Sequence, residues 1–247
     1  MELCVYPDSQ GEFPVTFQVA LGASNGWIIA SDTKANHYAG FSSMPNLRET
    51  NHTRKISYHK KTQTAYTSCG DFIMREACRD VIEMYEHEFG DQYPDDWDAF
   101  QTRLRAVGDA AWKREHGKTS PPQYRCAIFA FNNRRPFWML QLPHPRQKAS
   151  EVGSAYDRLF NGDHTNPAKF FIERYHNQEL PVRSLLPLVA HTILMGGELN
   201  PSGVGGLEIL FCENNTIVDW RFGSDELKKL AARSEEMSSL IRAKLLE

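Results

Sequence analysis

The sequence predicts an α+β fold in which two stacked antiparallel sheets are covered by helices on both outer faces, a four-layer αββα sandwich. A hairpin signal stands early in the chain, at Asn25-Gly26. Apolar residues then recur at helical spacing over residues 71–89 and 96–116. The predicted order is strands, two helices, strands, two helices, strands and one helix, which suits sheets packed face to face between helical layers. A chain of 247 residues is long enough to form one domain with a full core.

The hairpin is the most informative local pattern in the chain. Alternating apolar residues lead from Phe17 to the Asn25-Gly26 turn, and an apolar run beginning at Trp27 leads back. Asn-Gly favours a type I′ turn because both central residues of that turn need a positive φ. Thr16 stands at the start of the hairpin and Asp32 at its end. A third strand begins near Lys55, so a hydroxyl, a carboxylate and an amine are predicted at strand ends that could converge.

The remaining elements follow from the same periodicities. Asp71 is a suitable N-cap for the first helix. Pro187 is expected in the first turn of a short helix, because proline disrupts a helix interior. The later predicted elements are strands at 125–131 and 137–142, helices at 167–176 and 182–195, strands at 206–212 and 216–222, and a terminal helix at 225–246.

Composition excludes several classes of function. The net charge is −3 with both signs mixed, so no nucleic-acid partner is predicted. No apolar run approaches the ~20 residues of a membrane span, and the first residues lack the basic segment of a signal peptide. The five cysteines are scattered and form no metal spacing, and the nine histidines form no HxxxH pair. We therefore interpret the histidines as surface or capping residues, and we expect neither a metal nor another cofactor. Reduced, mostly buried thiols indicate the cytoplasm.

Five blocks of sequence are informative as motifs. They are Gly26-Trp-Ile-Ile-Ala-Ser-Asp-Thr-Lys-Ala35, Arg54-Lys55-Ile56-Ser57, Thr67-Ser68-Cys69-Gly70-Asp71, Glu151-Val152-Gly153-Ser154-Ala155 and, less cleanly, Ser202-Gly203-Val204-Gly205-Gly206-Leu207. These blocks resemble segments of proteasome-type subunits, the 20S α/β-like family of N-terminal nucleophile hydrolases. They occur in the family's order and together cover most of residues 16–222.

The resemblance implies a set of catalytic roles. Thr16 takes the position of the nucleophile, whose own freed α-amine acts as the base. Asp32 and Lys55 take the positions of the aspartate and lysine that tune the hydroxyl. Gly70, or its neighbour Cys69, takes that of the oxyanion donor, and Ser154 that of the serine bonded to the terminal amine. The implied activity is that of a threonine-type hydrolase of peptides or small amides.

The sequence departs from the family pattern in three places. Residues 1–15, which we interpret as an N-terminal extension or propeptide-like segment before a domain at 16–247, keep the Thr16 amine in a peptide bond. The residue before Thr16 is Val15 rather than glycine, and its branching hinders cleavage there. An insertion of about seven residues in the region 37–52 is predicted as a loop near the site mouth. The family's late aspartate has no clean match, the nearest candidates being Glu198, Asn200 and Ser202.

Two functions therefore remain open. The chain is a threonine-type hydrolase once Thr16 is exposed, or a non-catalytic ring or scaffold subunit that retains its N-terminal segment. Cys4 is a rival nucleophile, but it lies twelve residues before the matched position. Both functions imply a ring-type homo-oligomer, and Trp112, Phe137 and Trp138 are expected to be exposed aromatic contacts. The sequence carries no signal for or against a regulatory ATPase.

Overall fold

The computed structural model describes residues 16–39, 46–50, 53–115, 124–143, 147, 149–163, 165–201 and 204–246. The extension 1–15, including Cys4, lies outside these ranges. The strands are β1 Phe17–Ala23, β2 Gly26–Ser31, β3 Ala35–Ala39, β4 Asn46–Thr50, β5 Ile56–His59, β6 Thr64–Cys69, β7 Cys126–Ala130, β8 Phe137–Gln141, β9 Glu151–Ala155, β10 Arg158–Gly162, β11 Glu208–Glu213 and β12 Thr216–Trp220. The helices are α1 Phe72–Glu88, α2 Trp97–Glu115, α3 Lys169–Tyr175, α4 Val182–Leu199 and α5 Asp225–Leu246.

The predicted N-terminal hairpin is confirmed and forms the middle of the first five-stranded sheet. Its strand order is β10-β1-β2-β11-β12, with neighbouring strands antiparallel. Both hairpin strands are almost wholly buried. Strand β1 lies between its hairpin partner and β10, which comes from the second half of the chain. The residue that precedes β1, Thr16, therefore lies where distant parts of the chain meet.

The second five-stranded sheet has the order β5-β6-β7-β8-β9, also antiparallel. Helices α1 and α2 pack against it and against each other. Asp71 caps α1 as predicted, since its carboxylate accepts a hydrogen bond from the backbone N–H of Ile73 at 3.0 Å. An aromatic cluster centred on Tyr85, Phe100 and Phe131 fills the space between these helices and the sheet.

An apolar cluster between the two five-stranded sheets joins them. Trp27 and Ile29 from one sheet pack with Ile128 and Phe137 from the other. The indole N–H of Trp27 donates to the backbone carbonyl of Asn133 at 3.0 Å, so its polar atom is also satisfied. The facing strand ends are thereby fixed relative to each other, and they carry the side chains described below.

The predicted regular four-layer sandwich is wrong, because the molecule is richer in sheet and its helices are shared unevenly. Beside the first sheet, α4 makes the main contacts, while α3 and α5 pack mainly on α4 rather than forming a regular layer on the strands. Strands β3 and β4 pair only with each other within the described ranges and form a separate two-stranded sheet. These two strands cover residues 37–39 and 46–50 of the region that was predicted as a loop.

Three smaller expectations are also corrected. Pro187 lies inside α4 rather than in the first turn of a shorter helix, because the helix begins at Val182 and is held by a long buried face. Phe137 is buried and Trp138 is only 2% exposed, so neither is a surface contact. His191 is buried in α4, whereas all histidines were expected at the surface or at helix caps. None of the helices in the described ranges combines the length and apolarity needed to cross a bilayer.

Candidate active site

The structure brings Thr16, Asp32 and Lys55 together at one end of the sheets. The Lys55 ammonium lies 3.0 Å from Oγ1 of Thr16 and 2.8 Å from Oδ2 of Asp32. Thr16 immediately precedes β1, Asp32 follows β2 and Lys55 precedes β5, so the three residues come from neighbouring strand ends of two different sheets. Thr16 and Asp32 are buried, the Lys55 side chain is 8% exposed, and the Asp32 side chain has no exposed surface.

Asp32 is surrounded by hydrogen-bond donors. Its Oδ1 accepts from the backbone N–H of Phe17 at 2.9 Å, and its Oδ2 accepts from the backbone N–H of Lys34 at 3.2 Å as well as from Lys55. Burial raises the pKa of this carboxyl above its usual range, while the Lys55 charge and these hydrogen bonds act in the opposite direction. The carboxylate therefore fixes both the start of β1 and the ammonium group.

The backbone of Lys55 is itself held from two sides. Glu208 Oε1 accepts from the N–H of Lys55 at 2.5 Å and from the N–H of Ile56 at 2.8 Å. The Thr67 hydroxyl donates to the Lys55 carbonyl at 3.1 Å. Burial raises the pKa of Glu208 to about 7, even though these donors and the nearby cations Arg54 and Lys55 favour its charged form. No local motif in the sequence marks Glu208 as a residue of the site.

The carbonyl of Thr16 has a partner that the sequence also did not reveal. The backbone N–H of Asp163 donates to it at 2.7 Å. Gly162, with φ +90°, brings the chain so close that a Cβ there would lie 1.8 Å from this carbonyl oxygen. The Asp163 carboxylate accepts from Thr165 and from the Asn200 side-chain amide, the latter at 3.2 Å. Asn200, one of the candidates for the missing late aspartate, thus reaches the region behind Thr16 through Asp163.

The turn after β6 lies beside the Thr16 hydroxyl. Cys69 ends β6, and its side chain is hydrogen-bonded to Thr16. Burial raises the pKa of the Cys69 thiol to about 12, so this sulfur is poorly suited to be a nucleophile. Gly70 follows with φ +126°, and a Cβ there would lie 3.0 Å from Cγ of Arg125. This backbone geometry requires glycine at the predicted oxyanion position.

Ser154 is not brought to this cluster. It is exposed, lies in β9 and pairs with Trp138 of β8. Strand β9 forms the edge of its sheet opposite to β5, four strands or about 19 Å away at the usual strand spacing. The Gly-Ser block that suggested its role is part of a regular edge strand, and the chain reaches Thr16 only after the next strand, at Asp163.

Other potential ligands do not assemble near these residues. Within the part of the chain that the structure describes, no group of three or more His, Cys, Asp or Glu side chains could hold a metal ion. Glu198 is exposed at the end of α4, and Ser202 lies outside the described residues. A hydroxyl held by a buried ammonium and carboxylate is suited to nucleophilic attack, provided that a base can accept its proton.

Comparison with known proteins supplies structural neighbours only. No family profile matches the sequence, and no curated protein matches it. An Anbu (Gly-1) mutant from Hyphomicrobium sp. strain MC1 superposes with a TM-score of 0.67 at 13% identity, covering 94% of this chain and 97% of that one. Anbu, an ancestral beta-subunit, from Yersinia bercovieri gives a TM-score of 0.66 at 12% identity, with coverages of 94% and 97%. The helical assembly of the Anbu complex from Pseudomonas aeruginosa gives 0.66 at 15% identity, with 93% and 95%.

These neighbours correct the resemblance inferred from the sequence. The expected family was that of 20S-type α and β subunits, whereas the similar structures are Anbu proteins, which are related to proteasome subunits but distinct from them. At 12–15% identity the likeness concerns the fold alone, and this chain therefore has a fold similar to that of the Anbu structures.

Proposed function

We propose that this protein is a proteasome-related subunit that hydrolyses peptide or small amide bonds with Thr16 as its nucleophile. The observation that carries the proposal is the Lys55 ammonium, which contacts both Oγ1 of Thr16 and Oδ2 of Asp32 in a buried setting. Burying such a group of charges is costly unless it is well hydrogen-bonded, so its presence favours a site over a stabilising device.

The proposed reaction needs a free amine on Thr16. The amine accepts the proton of the Thr16 hydroxyl as Oγ1 attacks the carbonyl carbon of the substrate, and it then passes that proton to the departing amine. Lys55 stabilises the developing negative charge on Oγ1, and Asp32 holds Lys55 in place. The turn at Gly70 supplies backbone donors for the oxyanion. Water then hydrolyses the acyl ester and regenerates Thr16.

In the full sequence the amine is not free, because Thr16 follows Val15 in a peptide bond. Removal of the preceding segment is therefore part of the proposal. Val15 is β-branched and follows Pro14, so self-cleavage is expected to be slow and another protease can be required. Every strand and helix described above follows Thr16 in the chain, so a protein beginning at Thr16 retains both sheets.

The test compares proteins that begin at Thr16 on a broad library of peptide amides. We expect hydrolysis by the unaltered protein, none by Thr16→Ala, and a loss of about a thousandfold or more for Lys55→Ala, because the charge beside Oγ1 disappears. Lys60→Ala, at an exposed lysine after β5, is the matched control and should retain activity. If the protein folds and assembles but cleaves nothing, the hydrolase proposal is rejected.

A non-catalytic scaffold subunit is the second candidate, and one contact favours it. The Cys69 side chain is hydrogen-bonded to Thr16 and so occupies space beside the proposed nucleophile. A retained segment ending at Val15 would also fill the position of the substrate. Intact mass measurement of the protein from its native host separates the candidates, since a scaffold keeps its first fifteen residues and a hydrolase loses them.

We also propose that the chain assembles into a homo-oligomer. One structural neighbour, from Pseudomonas aeruginosa, is described as a helical assembly. The similar fold supports assembly of this chain as well. At 15% identity the surface residues of the two proteins differ, so the proposal concerns self-association and not a helical geometry.

A further inference from the structure

Glu208 is a charged side chain on a face where its neighbours are apolar. It begins β11, and the alternate residues Leu210 and Cys212 of that strand pack in the cluster between the two five-stranded sheets. Side chains two residues apart in a strand point to the same face. Glu208 is therefore directed between the sheets, and it is only 6% exposed. A buried carboxylate in that position needs partners, and it finds them across the gap in the other sheet.

Those partners are the first backbone donors of β5. Strand β5 is an edge strand that pairs only with β6 within the described residues, so one side of it lacks a neighbouring strand. Oε1 of Glu208 accepts from the N–H of both Lys55 and Ile56, at 2.5 and 2.8 Å. Since Thr67 holds the Lys55 carbonyl at 3.1 Å, the peptide units around Lys55 are clamped by one residue from each sheet.

We propose that Glu208 is a positioning residue that holds Lys55 within reach of Thr16, and that its ionisation tunes the activity of the site. This inference rests on the proposed hydrolase function for its effect on rate. The mechanical part does not, because the clamp on Lys55 and Ile56 exists whether or not the protein cleaves amides. Glu208 touches backbone atoms rather than the reacting groups, so it acts only through the placement of Lys55.

The expected pH dependence has a definite direction. Burial raises the pKa of Glu208 to about 7, so the carboxyl gains a proton as the pH falls through neutrality and becomes a weaker acceptor. The cations facing it are Lys55 and Arg54, both in the segment leading into β5. Arg54 is also paired with Asp219 of β12 at 3.0 Å, and Asp32 follows the neighbouring strand β2. The clamp should therefore be firm at pH 8 and looser at pH 6.

Hydrogen–deuterium exchange of the full-length chain tests the clamp without any catalysis. After correction for intrinsic rates, we expect the Lys55 and Ile56 amides to be protected about tenfold less at pH 6 than at pH 8. Glu208→Ala should lose at least that much protection at both pH values, and Glu208→Gln should lose the pH dependence because it keeps a neutral acceptor. Glu213→Gln, at the far end of the same strand, is the matched control and should behave like the unaltered chain.

The result that overturns the inference is equal protection of these amides in the unaltered chain and Glu208→Ala. If the Glu208 variants do not fold, the unaltered chain still decides, since protection that is the same at pH 6 and pH 8 contradicts the proposal.

The effect on rate is measured with the protein that begins at Thr16. In this protein two groups titrate near neutrality. The first is the Thr16 amine, since an α-amine in an unperturbed peptide has a pKa of roughly 7.7–8.0. The second is the Glu208 carboxyl, whose pKa burial raises to about 7. The acid limb of log kcat should be steeper than one in the unaltered protein and equal to one in Glu208→Gln. At pH 8 we expect kcat of Glu208→Gln to fall about tenfold with KM unchanged. If the Glu208 variants change the exchange of the Lys55 and Ile56 amides but no form hydrolyses amides, the proposed function is rejected and the role of Glu208 stands. If exchange is unchanged in the variants but hydrolysis is normal, the role of Glu208 is rejected and the proposed function stands.

Discussion

A single carboxylate, that of Asp32, links the start of β1 to the Lys55 ammonium. It accepts hydrogen bonds from Phe17, Lys34 and Lys55, so it fixes the residue that follows Thr16, the segment after β2 and the ammonium group beside the Thr16 hydroxyl. Removing one member of a buried ion pair typically costs about 3–5 kcal/mol, because the other charge is left without a partner. The contacts of Asp32 therefore stabilise the fold locally and also hold the Lys55 ammonium beside the Thr16 hydroxyl.

Cys69 offers a prediction at the same scale. Burial raises its pKa to about 12, so at pH 8 only about one thiol in ten thousand is ionised. We expect iodoacetamide to leave Cys69 unmodified in the native protein at pH 8, as read by peptide mass mapping. The same treatment in denaturant should modify it fully and serves as the control. Rapid modification of Cys69 in the folded protein would contradict its burial beside Thr16.

The residues of the site that could be predicted are those placed by local sequence, and the missed ones are those placed by the order of strands in the sheets. Thr16 and Asp32 flank one hairpin, and Lys55 immediately precedes β5, so local pattern and motif spacing were enough to place them. Glu208 and Asp163 are separated from their partners by well over a hundred residues. Only the order of strands in two sheets brings them to the site, and no local pattern encodes that order. Ser154 fails for the converse reason, because a good local motif lies in the wrong strand.

At the scale of elements, the turn between β6 and α1 connects the site to a helix. Asp71 caps α1 and is also paired with the buried Arg125, whose Nη2 lies 2.5 Å from it. In the sequence, Gly70 lies between Asp71 and Cys69. The turn is therefore held on one side by Asp71, which caps α1 and pairs with Arg125, and on the other by the contact of Cys69 with Thr16.

We predict that Gly70→Ala destabilises the fold by about 1–3 kcal/mol in urea unfolding. The reason is its φ of +126°, which only glycine adopts readily, together with the 3.0 Å approach of Arg125 to a new Cβ. Gly90→Ala is the matched control: its φ is +62° and no atom lies within 4 Å of an added Cβ, so a loss of about 1 kcal/mol or less is expected. A Gly70→Ala protein as stable as the Gly90→Ala protein would contradict this account of the turn.

The elements that sequence reasoning missed are those whose signal is tertiary. The hairpin, the capped helix α1 and the terminal helix α5 carry strong local patterns and were predicted nearly to the residue. Strand β10 was missed, although its pairing with β1 completes the site. Pro187 was taken as a helix boundary, whereas burial of one face of α4 outweighs the lost hydrogen bond. Local propensity is overridden wherever enough apolar surface is buried.

At the scale of the whole molecule, the testable expectation is self-association. A chain of 28.3 kDa that assembles as its neighbour does should elute as a species several times heavier. Size-exclusion chromatography with light scattering measures this mass directly, and dilution through micromolar concentrations tests whether the assembly is stable. A single species of monomer mass at every concentration would reject the assembly proposal while leaving the site unaffected.

The order in which the strands enter the first sheet has a consequence for synthesis on the ribosome. Thr16 and Lys55 are translated early, but Glu208, which clamps Lys55, follows it by 153 residues. At about 5–20 residues per second, roughly eight to thirty seconds pass between them. Until then the Thr16 hydroxyl and its ammonium partner have no complete framework. Under the proposed function, self-cleavage before Thr16 is therefore expected only after β11 has been translated, when β1 and β2 both have their outer neighbours in the sheet.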